Sequence, residues 1–227
     1  AIADRHGLKL LYDAAHAFGV VHKETSVLNY GDMAILSFHA TKVFNTLEGG
    51  AIICHDKETK QRIDHLKNFG FAGETTVVAP GINSKMNEVQ AALGLLQLNY
   101  YQNNVKTRKH IANTYRDAID KIDGIACLPE PENTVSNFAY FPIFVNAQEY
   151  GMTRDQLYEK LKANQIFARR YFYPLITEFP MYKTNKNALN VATQMADQVI
   201  CLPIYTDLAM SDLDKIIRII VNNKNDR

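Results

Sequence analysis

The chain has 227 residues, 47% of them apolar, with 25 basic and 24 acidic side chains and a formal charge of +1. That length exceeds one average domain and that apolar share supports a sizeable core, which excludes a disordered chain. The near-balanced charge offers no single-sign field to gather nucleic acid or an anionic membrane surface.

No apolar run approaches the roughly 20 residues that span a bilayer, and no signal-like segment is present. Cys54, Cys127 and Cys201 are scattered, with no C-x-x-C pair, which argues against a disulfide framework or a structural zinc site. Each lies in an apolar run, where a free thiol acts as a small core residue, and this fits a reducing cytosol. A cytoplasmic location is therefore expected.

Taken in order, Ala1–Gly7 reads as the last turns of a helix closed by Gly7. A protein rarely starts inside a helix, so elements ahead of this point are expected in a longer chain. Leu8–Ala14, Asp32–His39 and Gly50–His55 read as buried strands, because each is a near-continuous apolar run with polar ends. Strands with so little alternation predict a sheet covered on both faces, hence an α/β fold. Residues 87–119 read as one long helix. Asn87 and Gln90 form its capping box, and Val89, Leu93 and Leu96 recur at helical spacing.

Beyond Gly124, the run Pro129-Glu130-Pro131-Glu132 marks a loop, and a smaller α+β pattern follows. Phe138–Val145 reads as a strand, with Pro142 placing it at an edge or a bulge. Thr153 and Gln156 make a second capping box, stapled by Met152 and Leu157. Phe167–Tyr173 and Gln198–Tyr205 read as further strands, and Ser211–Val221 as a closing amphipathic helix. The expected organisation is a partial large domain over 1–100, a connecting helix over 101–123 and a small C-terminal domain over 124–227.

Polar groups at the ends of apolar strands are candidate ligands, because α/β sheets bind at the carboxyl ends of their strands. Asp13 ends the first strand, with His16 just beyond it. Ser37 and Lys42 follow the second. Each has an ordinary alternative: Asp13 a helix N-cap, Ser37 a turn hydroxyl, His16 a satisfied half-buried ring, Lys42 an exposed loop lysine. It is their joint occurrence that points to chemistry.

Tyr12-Asp13-Ala14-Ala15-His16-Ala17-Phe18-Gly19, Ser37-Phe38-His39-Ala40-Thr41-Lys42 and Glu48-Gly49-Gly50-Ala51 together resemble the DegT/DnrJ/EryC1/StrS sugar aminotransferase family. Asn83-Ser84-Lys85-Met86-Asn87-Glu88-Val89-Gln90-Ala91-Ala92-Leu93-Gly94 is similar to its N-x-R-M-(D/N)-E-x-Q-A-A-L-G block, and Leu202-Pro203-Ile204-Tyr205 to its L-P-x-Y signature. The resemblance runs from end to end of the chain. It implies the C-terminal part of a type I fold dependent on pyridoxal 5'-phosphate (PLP), with a partial large-domain sheet and a smaller α+β domain.

By the same resemblance, Lys42 carries the cofactor and shuttles a proton, and Asp13 keeps the pyridine nitrogen protonated from a partly buried strand end. His16, where many members carry Gln, lies by the ring and its phenolic oxygen. Ser37 binds the phosphate, and Asn83 reaches the phosphate of a partner subunit, which implies a homodimer. Lys85 replaces the family arginine and offers a point charge where the family has a planar fork. Part of the phosphate loop and the ring-stacking aromatic would come from N-terminal residues, without which PLP is not expected to be held properly.

The implied activity is transfer of an amino group, from glutamate, to a nucleotide-linked keto-sugar. The segment 37–46 most resembles members making dTDP-4-amino-4,6-dideoxyglucose. The family's dehydratases carry histidine in place of the lysine, so Lys42 argues against that branch. The alternative from another class is a non-catalytic fragment that dimerises or binds a partner without cofactor.

Overall fold

The computed structural model describes residues 1–182 and 189–222. Two compact units emerge, one formed by residues 1–103 with 131–137, the other by 104–130 with Phe138 onward. In chain order the first contains α1 (Ile2–Arg5), β1 (Leu11–Asp13), β2 (Val21–His22), β3 (Thr25–Ser26), β4 (Met33–Ser37), β5 (Gly50–Cys54) and α2 (Lys57–Leu66). The long α3 (Glu88–Ile119) begins in the first unit and ends in the second. β6 (Ile125–Cys127) is in the second unit, and β7 (Thr134–Val135) returns to the first. The second unit continues with β8 (Phe141–Val145), α4 (Ala147–Tyr150), α5 (Arg154–Ala163), α6 (Asn190–Gln198), β9 (Val199–Leu202) and α7 (Met210–Val221).

In the first unit, β1 pairs in parallel with β4, and β5 runs antiparallel on the other side of β4. β4 alternates as a half-covered strand should, with Ala34 and Leu36 buried and Ile35 exposed. The expected cover on both faces is not present among the described residues. β1 is three residues long and exposed throughout, with Leu11 at 54% and Ile52 of β5 at 50% exposure. The apolar runs record which faces these strands can bury, not which layers this stretch of chain itself supplies. A second small sheet, β3-β2-β7, was not read from the sequence, because its strands are two residues each.

Asp56 caps α2 by accepting the Thr59 N–H at 2.7 Å, and Asp64 pairs with Lys60 and Lys67 along its surface. At the start of α3 the Asn87 side chain accepts the Gln90 N–H at 2.9 Å and the Gln90 side chain accepts the Asn87 N–H at 3.4 Å. Val89 and Leu96 on this helix are exposed.

The second unit holds the larger core: Tyr115 and Ile119 of α3, Ile143, Ile200, Leu157, Leu161, Leu213, Ile216 and Ile220 are all essentially inaccessible. Its sheet runs β6-β8-β9, antiparallel throughout, which makes β8 the central strand and corrects the expected edge position. Pro142 fits there for a local reason. The β6 register ends at Cys127 opposite Ile143, one residue short of Pro142. Opposite it on β9, Cys201 directs its N–H and C=O to Arg169, so no ladder bond asks for the missing proline N–H.

Phe167–Tyr173 also departs from expectation, meeting β9 only at an Arg169–Cys201 bridge. Its aromatics group ring on ring, Tyr171 stacking on Phe172 at 4.8 Å and both meeting Tyr140, so the segment turns where a strand would alternate. The Thr153–Gln156 capping box forms as expected over a buried Leu157. No described helix is long and apolar enough to cross a membrane.

Candidate active site

Because β1 and β4 are parallel, their carboxyl ends open on the same edge of the sheet. Asp13 ends β1 opposite Ile35, and Ser37 ends β4 two residues further on. Both strand ends lead into tight turns. The Ala15 N–H donates to Asp13 Oδ1 at 3.1 Å and the Ala17 N–H to the Ala14 carbonyl at 2.8 Å. Asp13 therefore closes an Asx turn; no helix follows for it to cap. Its carboxylate is exposed, where partial burial was expected, because the edge it ends is uncovered among the described residues.

After β4, the His39 N–H donates to Ser37 Oγ at 3.3 Å and the Lys42 N–H to the His39 carbonyl at 2.9 Å. The Thr41 N–H donates to His39 Nδ1 at 3.2 Å, which makes that nitrogen an acceptor. The neck of the loop is closed by Phe38 N–H to Gly49 O at 2.8 Å and Thr46 N–H to Phe38 O at 2.9 Å.

An aromatic interlock joins the two loops. Phe18 stacks on Phe44 at 4.2 Å, and Phe38 meets both rings edge-on. His16 and Lys42 each stand two residues before one of the stacked pair. The Lys42 amine accordingly lies 3.3 Å from His16 Nδ1 and 3.4 Å from Nε2. Burial lowers the pKa of Lys42, against the opposing pull of the Asp13 charge. Burial also lowers that of His16, the Lys42 charge lowers it further, and Asp13 again opposes. Burial and the Lys42 charge thus both favour the neutral form of His16.

Four of the five expected residues gather on these two loops; Asn83 lies elsewhere, in a backbone bridge with Asn68. It is exposed, and the Asn68 side-chain oxygen accepts from Lys85 Nζ at 2.8 Å. Sequence reading missed several groups that hold the loops. The Asn45 amide donates to the Lys42 carbonyl at 3.3 Å, and buried Thr46 donates its hydroxyl to Glu48 O at 2.6 Å. The Tyr101 hydroxyl donates to Phe18 O at 2.8 Å, and the Asn137 amide donates to His16 O and Phe18 O. Tyr101 and Asn137 carried no local signal, since their partners lie 83 and about 120 positions away. Thr46 and Asn45 sit beside Lys42 and were legible as loop polar groups.

The donor set suits PLP. An amine of lowered pKa can attach a carbonyl carbon, an exposed carboxylate with open lone pairs can face a ring nitrogen, and Ser37 keeps its hydroxyl proton free to donate after accepting from His39.

The model of the DegT/DnrJ/EryC1/StrS aminotransferase family matches residues 1–221. The chain belongs to this family. Family members are PLP-dependent. Among curated members, the chain is 48% identical over 227 residues to a dTDP-4-amino-4,6-dideoxy-D-glucose transaminase of Escherichia coli, with 97% of this chain and 60% of that protein covered. A protein of the same description from Shigella dysenteriae is 46% identical over 218 residues, covering 95% and 59%. The solved structure of DesI in the presence of its TDP-sugar product superposes with a TM-score of 0.91 at 31% identity, over 100% of this chain and 58% of that one. The chain thus spans about three fifths of the length of these family members.

Proposed function

We propose that this chain is the lysine-bearing part of a PLP-dependent aminotransferase that moves an amino group from glutamate to a dTDP-linked 4-keto-6-deoxyglucose. The observation that carries the reading is the approach of Lys42 to His16 from two loops joined by the Phe18–Phe44 stack, with Asp13 at the same parallel strand edge. Identity of 46–48% to two transaminases named for the aminated dTDP-sugar supports the substrate.

Lys42 Nζ would hold the cofactor and then act as the base and acid that moves a proton between the amine-bearing carbon of the substrate and the cofactor. Its lowered pKa keeps more of the amine in the proton-accepting form. When bound, PLP supplies the electron sink for the negative charge that develops on the amine-bearing carbon. Asp13 would hold the proton on the ring nitrogen, His16 would lie by the phenolic oxygen, and Ser37 would donate to the phosphate. Asn83, exposed and bridged to Asn68 by backbone, would serve the phosphate of a second subunit in a homodimer.

The test uses the protein that carries this chain. Addition of PLP should give a visible absorbance band that Lys42→Ala abolishes. With glutamate and dTDP-4-keto-6-deoxyglucose, one 2-oxoglutarate should appear per amino-sugar nucleotide formed. A folded protein that takes up no PLP sinks the proposal; PLP uptake with no turnover of this sugar sinks its substrate.

A further inference from the structure

Asn137 lies 121 positions beyond His16, yet its side-chain amide donates to the His16 carbonyl at 2.8 Å and to the Phe18 carbonyl at 3.0 Å. It is only 5% exposed. One planar amide therefore ties both ends of the turn that presents the His16 ring, and the Phe18 carbonyl takes a second bond from Tyr101. Asn137 is itself anchored. It ends the segment 131–137, in which β7 pairs with β2 through Val135–Val21 and Thr134–His22. His22 Nδ1 and Thr134 Oγ1 add a contact at 2.9 Å.

A buried amide facing two carbonyls is costly to remove, because both acceptors lose a partner where water reaches them poorly. A surface turn has no need of a tie this distant in the chain. What the tie does fix is the ring that stands 3.3 Å from the Lys42 amine.

We propose that Asn137 is a positioning residue that holds His16 against Lys42. The inference rests on the reading of Lys42 as the cofactor lysine. The action of Asn137 on the site runs through the backbone of residues 16 and 18, to whose carbonyls it donates.

The experiment uses the protein that carries this chain, following the His16 ring by NMR titration without cofactor and, alongside, its PLP affinity. Release of the turn in Asn137→Ala should return His16 toward its ordinary value, because the ring leaves both its partial burial and the charges of Lys42 and Asp13. PLP affinity should fall about tenfold. Thr134→Val removes a side-chain contact of the same segment and should move neither readout. In Asn137→Asp, a carboxylate would face two carbonyl oxygens, whereas the protonated acid can still donate. Its PLP affinity relative to wild type should therefore recover on acidification.

An unshifted His16 in folded Asn137→Ala, or an equal shift in Thr134→Val, overturns the proposal. Should the alanine variant not fold, the aspartate variant decides, and a pH-independent affinity ratio overturns it. Should the wild-type protein that carries this chain bind no PLP while His16 still moves in Asn137→Ala, the cofactor reading falls and the positioning relation stands.

Discussion

The Lys42 amine stands almost equally far from the two ring nitrogens of His16, at 3.3 and 3.4 Å. Equal distances set the amine against the ring as a whole, so the pair is not a simple bond to one nitrogen's lone pair. A proton on His16 would place two positive charges in contact.

That arrangement makes stability pH-dependent in a stated direction. His16 has a folded pKa below its ordinary 6.5, so the folded chain binds this proton less readily than the unfolded one. Its contribution is full above about pH 6.5 and is lost as pH falls through the lower folded value. His16→Gln should flatten the acid-side fall of the thermal midpoint relative to wild type. Superimposable pH profiles of Tm for the two proteins would refute the coupling.

Asp13 should separate binding from turnover. Asp13→Asn keeps the Asx turn, since an amide oxygen accepts the Ala15 N–H as the carboxylate does. PLP uptake should persist while kcat drops by roughly a hundredfold or more, as the ring nitrogen loses its charge partner. An unchanged kcat would reduce Asp13 to a turn residue.

Gly19 has no room for a side chain. With φ at +71°, an added Cβ would lie 2.1 Å from the Tyr101 hydroxyl oxygen and 2.6 Å from a ring carbon. Gly19→Ala should cost about 2–3 kcal/mol by denaturant unfolding, through backbone strain and overpacking. Tyr101→Phe should not rescue it, because the ring carbons remain; full rescue would show that the hydroxyl alone was the obstacle.

Asn83 yields a test by mixing. Two inactive proteins, Lys42→Ala and Asn83→Ala, should regain part of their activity after subunit exchange, because some dimers then hold one intact site. Exchange demonstrated by mass without any recovery, or a fully active monomer, would exclude a shared site.

The parts of this molecule that sequence made legible are those decided locally. The Asn87–Gln90 and Thr153–Gln156 boxes form because each partner lies three residues away, and α7 buries the stripe its spacing announces. Asp13, His16, Ser37 and Lys42 stood out by position at strand ends and by family motif. What stayed hidden depends on distant partners. Nothing near Asn137 reveals that it will meet His16, and nothing within Phe138–Val145 shows that β6 stops one residue before Pro142. The apolar runs of β1 and β5 indicated burial, but burial needs a covering layer that a strand's own residues do not encode.

The return of residues 131–137 to the first unit has a consequence for how this protein can be taken apart or recombined. The polypeptide passes from the first unit to the second, back, and out again, at 103, 130 and 137. No single cut yields either unit whole. A graft ending at residue 103 would carry Lys42 and His16 but leave behind β7 and the amide of Asn137. In exchange between related proteins, the loops that present Lys42 and the strand-turn that braces them are inherited together with the second unit or arrive incomplete.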